Sequence, residues 1–158
     1  MKINFRAVTN GDLAFLKALY RSTREDELYS TGWDEEQKDR FIDFQFNAQH
    51  SHYLISFKGA DFLIIVLNKT DIGRLYLWRT ENQIKIIDIT LLIKYRGKSI
   101  GTKILTELIE ESNKTGKKLN LHVERNNPAL KLYEKLGFKK AEDKGVYFFM
   151  ERMPEKKA

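Results

Sequence analysis

Between residues 61 and 109 the hydrophobic period changes from two residues to about 3.6, and this change constrains the fold more than any other feature. Asp61–Leu67, Ile72–Arg79 and Ile84–Ile93 are β-rich runs, separated by the turn Asn68-Lys69-Thr70-Asp71 and by Glu81-Asn82. That is the pattern of an antiparallel meander. After a polar, glycine-containing turn, Ile100, Ile104, Leu105, Leu108 and Ile109 share one face of a helix that stops near Gly116.

The flanks complete an α/β chain. Residues 2–8 read as a strand. Thr9-Asn10-Gly11-Asp12 offers a helix cap, and Leu13, Leu16, Leu19 and Tyr20 carry helical spacing to about Leu28. Asp34 with Gln37 marks a second helix start, followed by Phe41, Phe44 and Ala48 and by the companion stripe Ile42, Phe46 and Tyr53. Lys118–Val123 is a short strand. Asn127 and Pro128 suit an N-cap and first helical position, Ala129, Leu132, Tyr133 and Leu136 repeat helically, and Gly137 stops the helix. Residues 138–141 and 145–152 end the chain as a hairpin. The order β-α-α-β-β-β-α-β-α-β-β predicts an α/β sandwich: a mixed, mostly antiparallel sheet of six to seven strands flanked by four helices. No linker or repeat interrupts it, so residues 1–153 are expected to form a single domain, with 154–158 a polar tail.

Cysteine is absent, which excludes thiolate nucleophiles, disulfides and cysteine-ligated metal centres. No apolar run of signal-peptide or membrane-spanning length occurs; the longest is Phe62–Leu67, and the expectation is a cytoplasmic protein without membrane partners. Residues 1–70 carry 9 basic against 10 acidic side chains, and residues 71–158 carry 19 against 12, so the C-terminal part is net +7. A polyanionic ligand held by that half fits the asymmetry. No helix there combines clustered Lys and Arg with a recognition-helix context, and no nucleic-acid partner is expected.

The informative segment is Leu91–Thr102, a strand, a basic small-residue loop and the first turn of a helix. Helix N-termini present unpaired N–H groups and partial positive charge, and Gly97 and Gly101 allow close approach to the backbone. Arg96 and Lys98 add charge suited to a diphosphate. The triplet Gly97-Lys98-Ser99 does not make a nucleotide P-loop, which needs glycine where Leu92 stands.

Arg96-Gly97-Lys98-Ser99-Ile100-Gly101 resembles the cofactor loop Arg/Gln-x-x-Gly-x-Gly/Ala of the GNAT superfamily of N-acetyltransferases, with Ser99 in place of the first glycine. A second signature, Asn-x-x-Ala followed by Leu-Tyr and Gly-Phe, stands as Asn126–Ala129, Leu132-Tyr133 and Gly137-Phe138. The likeness runs from about Ile72 to Phe149, and is strongest to small bacterial single-domain members. It implies acetyl-CoA as co-substrate. The backbone of Leu91 and Ile93 would pair with the pantetheine arm. Arg96, Gly97, Lys98, Ser99, Ile100, Gly101 and Thr102 would hold the diphosphate, and Asn126 and Ala129 would line the arm. The last meander strand and the strand at 118–123 would splay to admit it.

By the same resemblance Tyr133 is the general acid beside the sulfur, and a backbone N–H near Leu91 serves the oxyanion. Asp88, a carboxylate amid β-branched residues, is the candidate base, with Glu124 a weaker one. His122 reads as structural, and His50 and His52 lack a third ligand, so no metal is expected. The acid-rich stretch Glu25–Asp43, with Tyr29 and Trp33, could hold a cationic amine, but a solvated helix face is the more economical reading. The expected activity is N-acetyl transfer to an unidentified primary amine of a small molecule, peptide or protein; the alternative is a silent acyl-CoA-binding sensor. The chain is expected to be a monomer or homodimer, the latter through the edge Val146–Met150.

Overall fold

The computed structural model describes residues 2–155. Seven strands, β1 (Ile3–Ala7), β2 (Asp61–Leu67), β3 (Thr70–Arg79), β4 (Gln83–Leu91), β5 (Lys118–Glu124), β6 (Lys139–Asp143) and β7 (Tyr147–Arg152), alternate with five helices. These are α1 (Leu13–Ser22), α2 (Glu25–Tyr29), α3 (Glu35–Ser56), α4 (Ile100–Thr115) and α5 (Leu130–Lys135). The strands form one mostly antiparallel sheet in the order β1-β2-β3-β4-β5-β7-β6, in which β4 and β5 pair in parallel.

Five helices stand where four were expected, because the segment after Thr9 breaks in two. The Thr23 hydroxyl donates to the Tyr20 carbonyl, and the N–H groups of Thr23 and Arg24 turn back to Tyr20 and Arg21, a tightened finish that ends α1 before α2 begins. The expected strand to Ile93 stops at Leu91, and Ile93–Tyr95 form a 3-10 turn. Residues 156–158 of the expected tail lie outside the described residues. Glu155 does not trail away: its N–H donates to Asn113 Oδ1, and its carboxylate meets Arg152 at 3.0 Å.

The chain divides into two compact units. The first holds the described residues up to Arg74, with Thr90–Lys94. Its core gathers Leu16, Tyr20, Leu28, Ile42, Phe46 and Ile64. α3 starts on the foreseen capping box: Asp34 accepts from the Gln37 N–H, and the Gln37 side chain accepts from the Asp34 N–H. Arg6 of β1 grips Asp12 through both oxygens and also meets Asp71 at 2.8 Å, tying the strand to the turn before α1 and to the start of β3.

The second unit holds Leu75–Ile89 and the described residues from Tyr95 onward. Ile104, Leu105 and Leu108 of α4 are buried, as are Leu119, Leu121 and Val123 of β5, which present alternate positions of the strand to one face. α5 ends in a Schellman motif: the Phe138 N–H returns to the Tyr133 carbonyl, the Gly137 N–H to Glu134, and Gly137 takes φ +99°. The Tyr133 and Phe138 rings meet edge to face at 5.7 Å, which is the apolar contact that accompanies such a stop. Buried Arg152 then donates to the Leu136 carbonyl, fixing the end of the helix.

Candidate active site

Three features of the second unit bear on the candidate site. The first is the turn entering α4. Gly97 takes φ +71°, and Ser99, the N-cap of α4, takes φ +65° and ψ +11°. Ser99 therefore adopts the left-handed backbone that glycine prefers, and the turn keeps the shape a glycine would give it. Ile100 is buried and anchors the first turn, while residues 96–99 are exposed and a Cβ at Gly101 would meet open space. The first N–H groups of a sixteen-residue helix thus open onto an accessible, basic turn containing Arg96 and Lys98.

The second feature is a gap in the ladder. β4 and β5 pair from Gln83↔Lys118 to Ile86↔Leu121, and both strands run on beyond the last pair. The third is the neighbourhood just past that pair. Ile84 and Ile86 are buried opposite Leu119 and Leu121, and by alternation Asp88 follows on the same face. Tyr133 of α5 is 7% exposed, and burial, with the charge of Asp88 added, pushes its phenol up to about 12. The two residues singled out as acid and base therefore share one electrostatic neighbourhood, and the phenol holds its proton across the working pH range.

Asn126 lies exposed in the turn after β5, and Asn127 Oδ1 accepts from the Ala129 N–H in a turn ahead of the helix; α5 itself starts at Leu130 with Ala129 as its N-cap and no side-chain cap bond, not at Pro128 with Asn127 as the cap. Leu91 closes β4 and Ile93 opens the 3-10 turn; both belong to the first unit.

The acetyltransferase (GNAT) domain family matches residues 58–140, just over half of the chain. The chain belongs to the GNAT acetyltransferase family. Solved GNAT folds resemble it over nearly the whole length. The PaiA N-acetyltransferase of Thermoplasma acidophilum, in complex with coenzyme A, has 26% identity and a TM-score of 0.70, over 97% of this chain and 99% of that one. The ribosomal-protein-S18-alanine N-acetyltransferase of Escherichia coli has 17% identity and a TM-score of 0.63, over 99% and 97%. A GNAT acetyltransferase of Elizabethkingia anophelis with acetyl-CoA bound has 16% identity and a TM-score of 0.62, over 96% and 97%. No curated protein sequence matches the chain.

This GNAT chain also has a position that its motifs do not mark. Gly73 lies inside β3, where an added Cβ would fall 2.2 Å from the Thr90 carbonyl oxygen and about 3 Å from Leu91. Only glycine lets β3 approach the end of β4 so closely. The lone glycine in an otherwise β-rich run was the available signal.

Other candidates belong to the first unit and are engaged there. His50 stacks on Phe46, and His52 meets Ser56 Oγ. The acid-rich stretch is spent on cations of its own unit: Glu25, Glu35 and Asp39 on Arg21, Glu27 on Arg24, Glu36 on Arg40, and Asp43 on Lys17. Trp33 packs on Phe41 at 5.2 Å. Among the described residues no cluster of three His, Asp or Glu side chains could hold a metal, and no helix is long and apolar enough to cross a membrane.

Proposed function

We propose that this protein transfers an acetyl group from acetyl-CoA directly to a primary amine of a small molecule, peptide or protein. The burial of the Tyr133 phenol, within the electrostatic reach of Asp88 two residues past the last β4–β5 pair, is the observation that carries the reading. The turn formed by Arg96, Gly97, Lys98, Ser99, Ile100, Gly101 and Thr102 would hold the diphosphate with backbone N–H groups and two cations. Backbone groups of Leu91 and Ile93, with Asn126 and Ala129, would hold the arm. Acetyl-CoA supplies the activated acyl group. Tyr133 donates a proton toward the departing sulfur, Asp88 orients or deprotonates the amine, and a backbone N–H near Leu91 meets the developing oxyanion. Ser99, standing where the motif has a glycine, is the residue on which the silent-sensor alternative rests. Its left-handed backbone leaves the turn glycine-shaped, which favours the enzyme.

The test measures released thiol over a panel of primary amines, alongside calorimetry with acetyl-CoA. Tyr133→Phe is expected to lower turnover about a hundredfold or more, with cofactor affinity within about twofold of the parent. Gly101→Glu is expected to lose cofactor binding while remaining folded, because it puts bulk and negative charge at the helix start. A fully active Tyr133→Phe removes the general acid; unchanged affinity in Gly101→Glu removes the turn.

A further inference from the structure

On the face of the sheet turned away from Ile86 and Asp88, Lys85 of β4 reaches toward β5 and β7. Its Nζ stands 2.9 Å from Nδ1 of His122 and 5.5 Å from the centroid of the Phe149 ring. That ring packs 4.9 Å from the imidazole. The registers Lys85↔Asn120 and His122↔Phe149 place all three side chains on one face, and none of them enters the transfer described above. Because an ammonium only donates, Nδ1 accepts, and His122 is neutral with its proton on Nε2.

Lys144 and Glu142 of the β6–β7 hairpin act on Lys85 or His122, and the registers put Glu124 of β5, Glu151 of β7 and Lys139 of β6 on the same face as Lys85. Glu142 is paired with Lys144 at 3.8 Å, and the hydrogen bond of Lys85 goes to an imidazole rather than to a carboxylate. Burial, with Lys144 adding repulsion, pulls the Lys85 ammonium down to about 8. Burial together with Lys85 and Lys144 holds His122 down to about 4, although its outer edge stays exposed.

We propose that Lys85 is a covalent acylation site, its amine wedged between His122 and Phe149 and reacting directly with acyl thioesters such as acetyl-CoA from solution. The neutral Nζ forms a C–N bond to the thioester carbonyl carbon, and the C–S bond breaks with its electron pair on sulfur. One amine proton passes to His122 Nδ1 and through solvent to the departing thiolate. The products are an acetamide on Lys85 and free coenzyme A; no oxidant or reductant is needed. At pH 8 about half of Lys85 is neutral, against roughly one in 250 of an ordinary lysine. Lower basicity gives back part of that advantage, leaving a rate advantage on the order of tenfold.

The experiment incubates the full chain with acetyl-CoA between pH 6.5 and 9.5, values chosen to span about 8, and follows each lysine by peptide mass spectrometry. Lys85 is expected to label about tenfold faster than exposed Lys131, half-maximally near pH 8, in the parent and in folded Gly101→Glu alike. His122→Phe keeps the apolar wall but removes the proton acceptor, and is expected to slow labelling several-fold. Labelling no faster than Lys131, an ordinary lysine pH profile, unchanged labelling in His122→Phe, or loss of labelling in folded Gly101→Glu would each overturn the proposal. Lys85 labelling is read on the protein without added amine and releases coenzyme A only stoichiometrically with the chain, whereas the acetyltransferase reading is scored on sustained, amine-dependent thiol release, so failure of one is distinguished from failure of the other.

Discussion

At the residue scale, Ser99 shows what a motif mismatch means physically. An L-residue held left-handed costs about 1–2 kcal/mol, while glycine adds about 0.5–1 kcal/mol of unfolded-chain freedom. Ser99→Gly is therefore expected to stabilise the protein by up to about 1 kcal/mol, raising the midpoint of thermal unfolding by about 2–4 °C, with cofactor affinity unchanged. Calorimetry reads both quantities, and a lowered midpoint would remove the claim of strain. The sequence disclosed that a glycine was missing but not that the backbone would keep its conformation, since that depends on Ile100 being buried one residue later. Tyr133 was legible because its spacing and its neighbours agree. Lys85 was not, because its environment is assembled from residues 122, 144 and 149, which no local pattern joins to it.

At the element scale, the Leu-Tyr and Gly-Phe signature resolves into a helix stop. Gly137 supplies the positive φ, Phe138 closes on Tyr133, and Arg152 holds the last carbonyl, so the motif fixes where α5 ends and with it the depth of the phenol. Element types and order followed from period and caps. Boundaries were less legible, as at Leu91, where the chain leaves β4 although Leu92 and Ile93 are as apolar as the strand; the Leu92 N–H still reaches the Ile72 carbonyl. The close passage of β3 at Gly73 carries its own test. Gly73→Ala forces β3 from the Thr90 carbonyl and is expected to cost about 1–3 kcal/mol in urea unfolding. It should lower acetyl-CoA-dependent thiol release through the displaced Leu91 while affinity is largely retained. Wild-type stability in this variant would show that the strand yields without penalty.

At the scale of the whole molecule, charge is organised differently in the two halves of the sequence. The acids of the N-terminal half are matched by neighbouring cations, mostly in exposed pairs worth at most about 1 kcal/mol each, so their density says little about substrate. Asp12 is the exception: hydrogen bonds from Arg6 and from the Thr9 N–H hold its carboxyl well below the usual carboxylate range. Its folded value lies below its unfolded one, so its stabilisation is complete above about pH 4 and is lost as pH falls through the lower folded value. Asp12→Asn is expected to be less stable than the parent at pH 7 and to show a shallower loss between about pH 5 and pH 2, read from urea midpoints against pH. Equal slopes would dismiss the pairing. The interrupted β4–β5 ladder has a further consequence for solubility. Strands that part inside a sheet are the kind of place where stray peptides add and fibrils grow. Asp88 on β4 and Glu124 on β5 each put a carboxylate just past the last pair, the sort of deterrent sheets keep at their outer borders, so a place where two strands part need not become a seed for aggregation.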